Sequence, residues 1–178
     1  MARIDDFKAN LIGGGYRVNQ FRVTITPPPG IAIGLDVRRT SFLCKATTLP
    51  AVELQPITLK YRGRSVIIAG DRETTGTWST TFYMDTDFMI MNALQRWSNG
   101  INDFDLNTGV ASLSDYATDL TAEMIDRDDT VLKTYIFKNA WPLVVGAPPA
   151  LDSAGDNTIG EFECTWQYQN YSISGVNF

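Results

Sequence analysis

The stretch Glu161-Phe162-Glu163-Cys164-Thr165-Trp166-Gln167-Tyr168 alternates without a break. Successive strand side chains point to opposite faces, so Phe162, Cys164, Trp166 and Tyr168 share one side and Glu161, Glu163, Thr165 and Gln167 the other. The same period recurs upstream. Within Arg17–Thr26, Phe21, Val23 and Ile25 oppose Gln20, Arg22, Thr24 and Thr26. Farther on, Trp78, Phe82 and Met84 alternate with Ser79, Thr81 and Tyr83. Each reads as a strand with one apolar face and one wet face.

The segments between them add shorter strands. Pro27-Pro28-Pro29-Gly30 stops the first, and Ile31 to Asp36 is a loop or a short return strand. Thr40 to Thr47 reads as a strand broken by Leu49-Pro50. Ile57 to Tyr61 and Ser65 to Ala69 flank Arg62-Gly63-Arg64, a hairpin in which Gly63 supplies the turn's unusual backbone angle, and Gly70-Asp71-Arg72 is a further turn. Leu120 to Ile125 and Val131 to Ala140 are strands joined by Asp126-Arg127-Asp128-Asp129, with Trp141-Pro142 ending the second. Residues 101–118 and Gly146 to Asn157 are loops.

The period changes once. Phe88, Met91, Leu94 and Trp97 recur at helical spacing, widened by Ile90 and Ala93, so residues 86–98 form a helix capped by Asp85 or Thr86 and ended by Asn99-Gly100. Residues 1–15 form an arm whose Gly13-Gly14-Gly15 lets the chain turn freely. Many short strands parted by turns predict a mainly β fold, a sandwich or barrel of antiparallel sheets. No repeat or linker divides the 178 residues, so residues 1–178 read as a single domain.

Composition narrows the function. The chain is 44% hydrophobic and 20% charged, with a net charge of -5 and no histidine. The missing imidazole removes Ser-His-Asp and Cys-His constellations and the commonest metal ligand and general base. The acidic balance disfavours tight binding to a nucleic-acid backbone, but not passage of DNA along an unsticky wall. No apolar run approaches the length that spans a bilayer, and Met1-Ala2-Arg3-Ile4-Asp5-Asp6 lacks the apolar core of a signal peptide. Synthesis in a cytoplasm-like setting is expected, with Cys44 and Cys164 as buried thiols.

Individual motifs do not build an enzyme. Asp126, Asp128 and Asp129 lack the glycine and distal glutamate of a calcium loop. No Gly-Lys-Ser/Thr follows the triple glycine, and alternation puts Cys44 and Lys45 on opposite faces. Lys45, Arg62, Arg64 and Arg72 are interrupted by Glu53, Asp71 and Glu73, so salt bridges within or between subunits are expected rather than a phosphate patch. Trp78, Trp97, Trp141 and Trp166 each sit in or beside an apolar pattern and read as core. The polar face of the sheet suits either ordinary solvent or a water-filled lumen.

One ordered set of signatures goes further: Phe42-Leu43-Cys44-Lys45-Ala46-Thr47-Thr48-Leu49-Pro50, then Arg62-Gly63-Arg64, Ala69-Gly70-Asp71-Arg72, and Trp78 to Asp85. With Ala140-Trp141-Pro142, Gly146 and Phe162-Glu163-Cys164-Thr165, it resembles the tail tube proteins of contractile-tailed bacteriophages from about Tyr16 to Tyr168. The loops at Pro27–Arg39 and Pro148–Asn157 and the residues after Tyr168 look longer than the family's. The resemblance implies two packed antiparallel sheets flanked by one helix, in hexameric rings stacked into the inner tube of a tail. It implies a structural virion protein made in the host bacterial cytoplasm, not an enzyme, with no cofactor or metal and no membrane insertion of its own. The implied partners are further copies, the tail sheath protein, the baseplate and tail terminator proteins, and tape measure protein and DNA in the lumen. On this reading Arg62, Arg64, Asp71 and Arg72, in the hairpin of residues 56–72, are expected at subunit interfaces with the arm, and Glu161 and Glu163 in the lumen. The alternatives are a tube-like baseplate, tail-end or type VI secretion subunit, or a carbohydrate-binding β-sandwich module.

Overall fold

Strand β8 (Glu161–Tyr168) buries Phe162, Cys164, Trp166 and Tyr168 and leaves the alternate residues outside the core, as the sequence period requires. The computed structural model describes residues 3–153 and 157–176; residues 1 and 2 of the expected arm, 154–156 of the expected loop, and 177 and 178 lie outside the described residues. The strands that precede β8 are β1 (Phe21–Thr24), β2 (Cys44–Thr48), β3 (Pro56–Tyr61), β4 (Arg64–Ala69), β5 (Gly76–Tyr83), β6 (Thr118–Ile125) and β7 (Val131–Val145), and β9 (Asn170–Gly175) follows it. Seven of them make one antiparallel sheet in the order β1-β6-β7-β8-β5-β2, with β9 also on β7; β3 and β4 form a separate two-stranded sheet.

The large sheet folds into two layers because one ribbon serves both. β8 and β9 pair with β7 in one continuous register, from Pro142 opposite Trp166 to Lys133 opposite Gly175. The first part of β7 also pairs with β6, whereas the last part has β8 alone. Asn139 sits at the corner with φ 51, and its N–H donates to Asp119 Oδ1 at 3.0 Å. The register of β6 against β7 shifts there, as it does at a bulge. Across the fold, Trp78 of β5 stacks on Phe137 of β7 with ring centroids 4.3 Å apart.

Helix α3 (Met89–Ile101) lays Ile90, Met91, Ala93, Leu94 and Trp97 on this core, and Trp97 meets Trp166 edge-on. The buried indoles are all satisfied. Trp78 donates to Thr47 Oγ1, Trp97 to the Tyr116 carbonyl and Trp166 to Thr80 Oγ1, at 2.6, 2.7 and 2.8 Å. Trp141 is only half-buried, edge-on to Tyr116. Cys44 and Cys164 are buried free thiols.

Several local expectations need correction. Residues 37–43 are a helix, α2 (Val37–Leu43), where a strand from Thr40 was expected; Asp36 accepts the Arg39 N–H and nucleates the turn. Trp141-Pro142 does not end β7. Beyond Ala140 that half has a neighbour on one side only, so Pro142 needs no ladder donor there. Asn99-Gly100 lies inside α3, where a Cβ on Gly100 would stand 2.6 Å from Ile31; the glycine serves close packing. The helix begins at Met89, after Phe88 turns left-handed at φ 53 and Asp87 takes up the Met89 N–H. Two further short helices, α1 (Ile4–Asn10) in the expected arm and α4 (Leu113–Tyr116) in the expected loop, escape notice because each is under three turns. None of the helices among the described residues is long and apolar enough to cross a membrane.

Candidate functional site: an unpartnered hairpin and a polar sheet face

The β3–β4 hairpin stands apart from the core. Tyr61 opposes Arg64 at its tip, and Arg62 and Gly63 both have positive φ (49° and 78°), which fits the two-residue turn of a tight hairpin. Register puts Ile57 opposite Ile68 and Leu59 opposite Val66, so these four aliphatics and Tyr61 form one apolar face. Every residue of both strands is exposed, and none joins the hydrophobic core. An isolated two-stranded ribbon is marginal in water, so its apolar face calls for a cover.

The four expected interface residues fall into two places. Arg62 and Arg64 are at the tip, with the Arg62 guanidinium 5.3 Å from the centroid of the Tyr61 ring. Asp71 and Arg72 are at the base, roughly 20 Å away along a strand of this length, where the Gln55 N–H reaches the Asp71 carbonyl. Among the described residues none of the four makes an ion pair within the chain; of the cations expected in salt bridges within or between subunits, Lys45 alone pairs inside the chain, with Glu161. All four are exposed.

Glu161 and Glu163 lie on the face of β8 turned away from the core, beside Ser79, Thr81 and Tyr83 of β5. Their charges are not equivalent. Lys45 Nζ binds Glu161 at 2.6 and 2.7 Å and lies 5.6 Å from the centroid of the Tyr83 ring. The Lys45 ammonium is held above its usual range by that hydrogen bond. Glu163 makes no such pair among the described residues and is exposed. The outer face of the other layer is mostly polar: Arg22, Thr24, Thr121, Glu123, Thr134, Ser172 and Ser174 share it by register with one aliphatic, Ile136, and Arg22 and Glu123 lie 3.5 Å apart.

Two further features lie outside the strand pattern. In α1 the spacing of Ile4, Phe7 and Leu11 makes an exposed apolar stripe, which a helical count of residues 4–11 reveals. Arg39 meets both Asp85 and Asp87, at 2.8 and 2.7 Å, tying α2 to the turn before α3. That second contact holds the Asp87 carboxyl below its usual range. Burial pushes the Cys44 thiol up to about 12 and the Cys164 thiol up as well, so neither is an activated nucleophile. Among the described residues no group of three or more Cys, Asp or Glu is placed to hold a metal.

A closed aromatic core, two polar sheet faces and one exposed apolar hairpin make this a mainly β subunit built to be covered by other chains. Residues 16–174 match the phage tail tube protein family. The chain belongs to that family. It is 28% identical over 170 residues to the tail tube protein of Serratia phage KSP90, covering 94% of this chain and 95% of the relative. The tail tube protein gp19 of Enterobacteria phage T4 is 29% identical over 164 residues, covering 91% and 94%. The same fold occurs in a chain of the anti-feeding prophage tube-terminating cap, with TM-score 0.62, 16% identity and coverage of 90% and 91%. It also occurs in the sheath–tube complex of an extracellular contractile injection system in its extended state, with TM-score 0.57, 17% identity and coverage of 99% and 100%.

Proposed function

We propose that this chain, acting as a single domain, is the subunit of stacked hexameric rings that form the inner tube of a contractile phage tail. The observation that carries this reading is the β3–β4 hairpin, an apolar ribbon left without a partner in a chain of the tail tube family. A ring closes by a heterologous interface, one patch against a different patch of the next copy. The hairpin with Arg62, Arg64, Asp71 and Arg72, and the arm carrying α1, supply one side of the contacts between subunits and rings. The role is structural, not catalytic: both thiols are buried and the sequence holds no histidine to serve as a general base.

The tube would sit in the virion after synthesis in the host bacterial cytoplasm. Sheath protein surrounds it, baseplate and terminator proteins close its ends, and tape measure protein and DNA occupy its lumen. The polar face bearing Glu161 and Glu163 lines that lumen. With Glu161 neutralised by Lys45, Glu163 provides the repulsion that keeps phosphates unbound. Electron microscopy of the purified protein, with a solution mass beside it, tests the reading. Hollow tubes or hexamer-sized rings support it; a monomer that stays monomeric when seeded with tail ends contradicts it.

A further inference from the structure

Among the described residues, five other than glycine have positive φ. Asn107, Asp129 and Asn139 are of the types that tolerate that region, and Arg62 sits in the hairpin turn. Phe88, at φ 53 and ψ 26, is the exception: a bulky side chain on a left-handed backbone, which is strained. It closes the turn Asp85–Phe88 between β5 and α3. Its N–H donates to the Asp85 carbonyl at 3.2 Å, and its own carbonyl already accepts the Asn92 N–H at 2.9 Å. Local preference would wind this turn into the helix, since Asp85 and Thr86 are both good N-caps and a right-handed Phe88 would extend α3 backwards.

Arg39 opposes that winding. From α2 its guanidinium holds Asp85 at 2.8 Å and Asp87 at 2.7 Å, while the other oxygen of Asp87 accepts the Met89 N–H at 3.0 Å. Exposed ion pairs and a left-handed bulky residue are effects of similar size, so the turn is close to balance. We infer that Asp85–Phe88 is a two-position latch set by Arg39. With Arg39 engaged, the turn stays unwound and Phe88 lines a groove of about 930 Å³ with Met84, Pro149, Leu151 and Ile159. With Arg39 withdrawn, the turn winds onto α3 and carries Phe88 to the exposed face of Asn92 and Gln95, four and seven residues on. The handle is α2 itself: its Phe42 is 77% exposed, so a chain that seats there and shifts the helix also shifts Arg39. Contact at α2 thereby reshapes the apolar groove beside α3.

The latch belongs to the single subunit, so the test uses unassembled protein and nuclear magnetic resonance. The parent should show the strong amide-to-α-proton contact of a positive φ at Phe88. Arg39→Gln should lose it and show helical carbon shifts over residues 86–88, with the helical population raised at least fivefold. Glycine carries no strain in the left-handed region, so adding Phe88→Gly to Arg39→Gln should leave the turn unwound. A Phe88 that stays left-handed in Arg39→Gln overturns the latch, and a double variant that winds as fully as the single one overturns the role of strain. Asp85→Asn breaks one contact alone and should raise the helical population at least twofold. No rise counts against the latch, and this variant decides the question if Arg39→Gln does not fold.

Discussion

Replacing Leu59 and Val66 together by serine should cripple assembly without weakening the subunit. The two side chains face each other across the hairpin and remain 50% and 51% exposed. Burying a Leu or Val fully stabilises by about 1.5–3 kcal/mol, so covering the half still in water is worth about 1 kcal/mol each. Removing both therefore weakens each hairpin contact by about 2 kcal/mol, which is roughly a 30-fold change in association. The concentration above which tubes pellet should rise by about that factor. Urea unfolding must be followed below that concentration, because assembly itself raises apparent stability. There the variant should match the parent within about 0.5 kcal/mol, as for other surface changes. An unchanged pelleting threshold would refute the reasoning. So would a loss of monomer stability as large as the loss of assembly, which would mean that the hairpin is packed within its own chain.

Other expectations concern the core and the arm. Thr80→Val keeps the shape of a fully buried side chain but leaves the Trp166 indole N–H without its acceptor. It should cost about 2 kcal/mol and lower Tm by roughly 4–8 °C, measured on unassembled protein; a loss under about 0.5 kcal/mol would contradict that bond's role. The buried thiols link stability to alkaline pH. Their folded-state pKa values lie above the unfolded value of about 8.5, so their contribution is intact below that pH and is lost as pH rises through it. By pH 10 each thiol should account for about 2 kcal/mol of lost stability relative to a Cys44→Ala, Cys164→Ala variant; parallel pH profiles would exclude the linkage. Deleting residues 1–12 removes no buried side chain of α1, so unfolding should be unchanged while tubes form poorly. Normal tube growth by that variant would remove the arm from the assembly account.

The strands were legible where one face is wet. Glu161–Tyr168 and Trp78–Tyr83 carry a period of two because one side meets the core and the other does not, and both fall where the alternation puts them. α3 was legible for the matching reason at period 3.6. What escaped depends on tertiary contacts. α2 is a short helix whose Thr40 alone is buried, so its stripe is too brief to show a period. β9 pairs along a ribbon that bends at Asn139 and Gln169, and nothing local in Asn170–Gly175 announces that β7 waits beside it. Pro142 reads as a terminator unless the missing neighbour on its donor side is known. At the candidate site, the hairpin was visible in Arg62-Gly63, and the outward position of Glu161 and Glu163 followed from parity. The Lys45–Glu161 pair was not visible, because it joins residues 116 positions apart. Nor was the groove, which gathers residues 84–86 and 88 with residues 148–152 and 158–161.

The most direct test of the central claim is a reconstruction, by electron cryomicroscopy, of tubes grown from the purified chain. Six copies per ring are expected around an open channel, with Glu163 on its wall and each β3–β4 hairpin buried against another copy. A filament without a channel, or rings in which the hairpin stays in solvent, would contradict it.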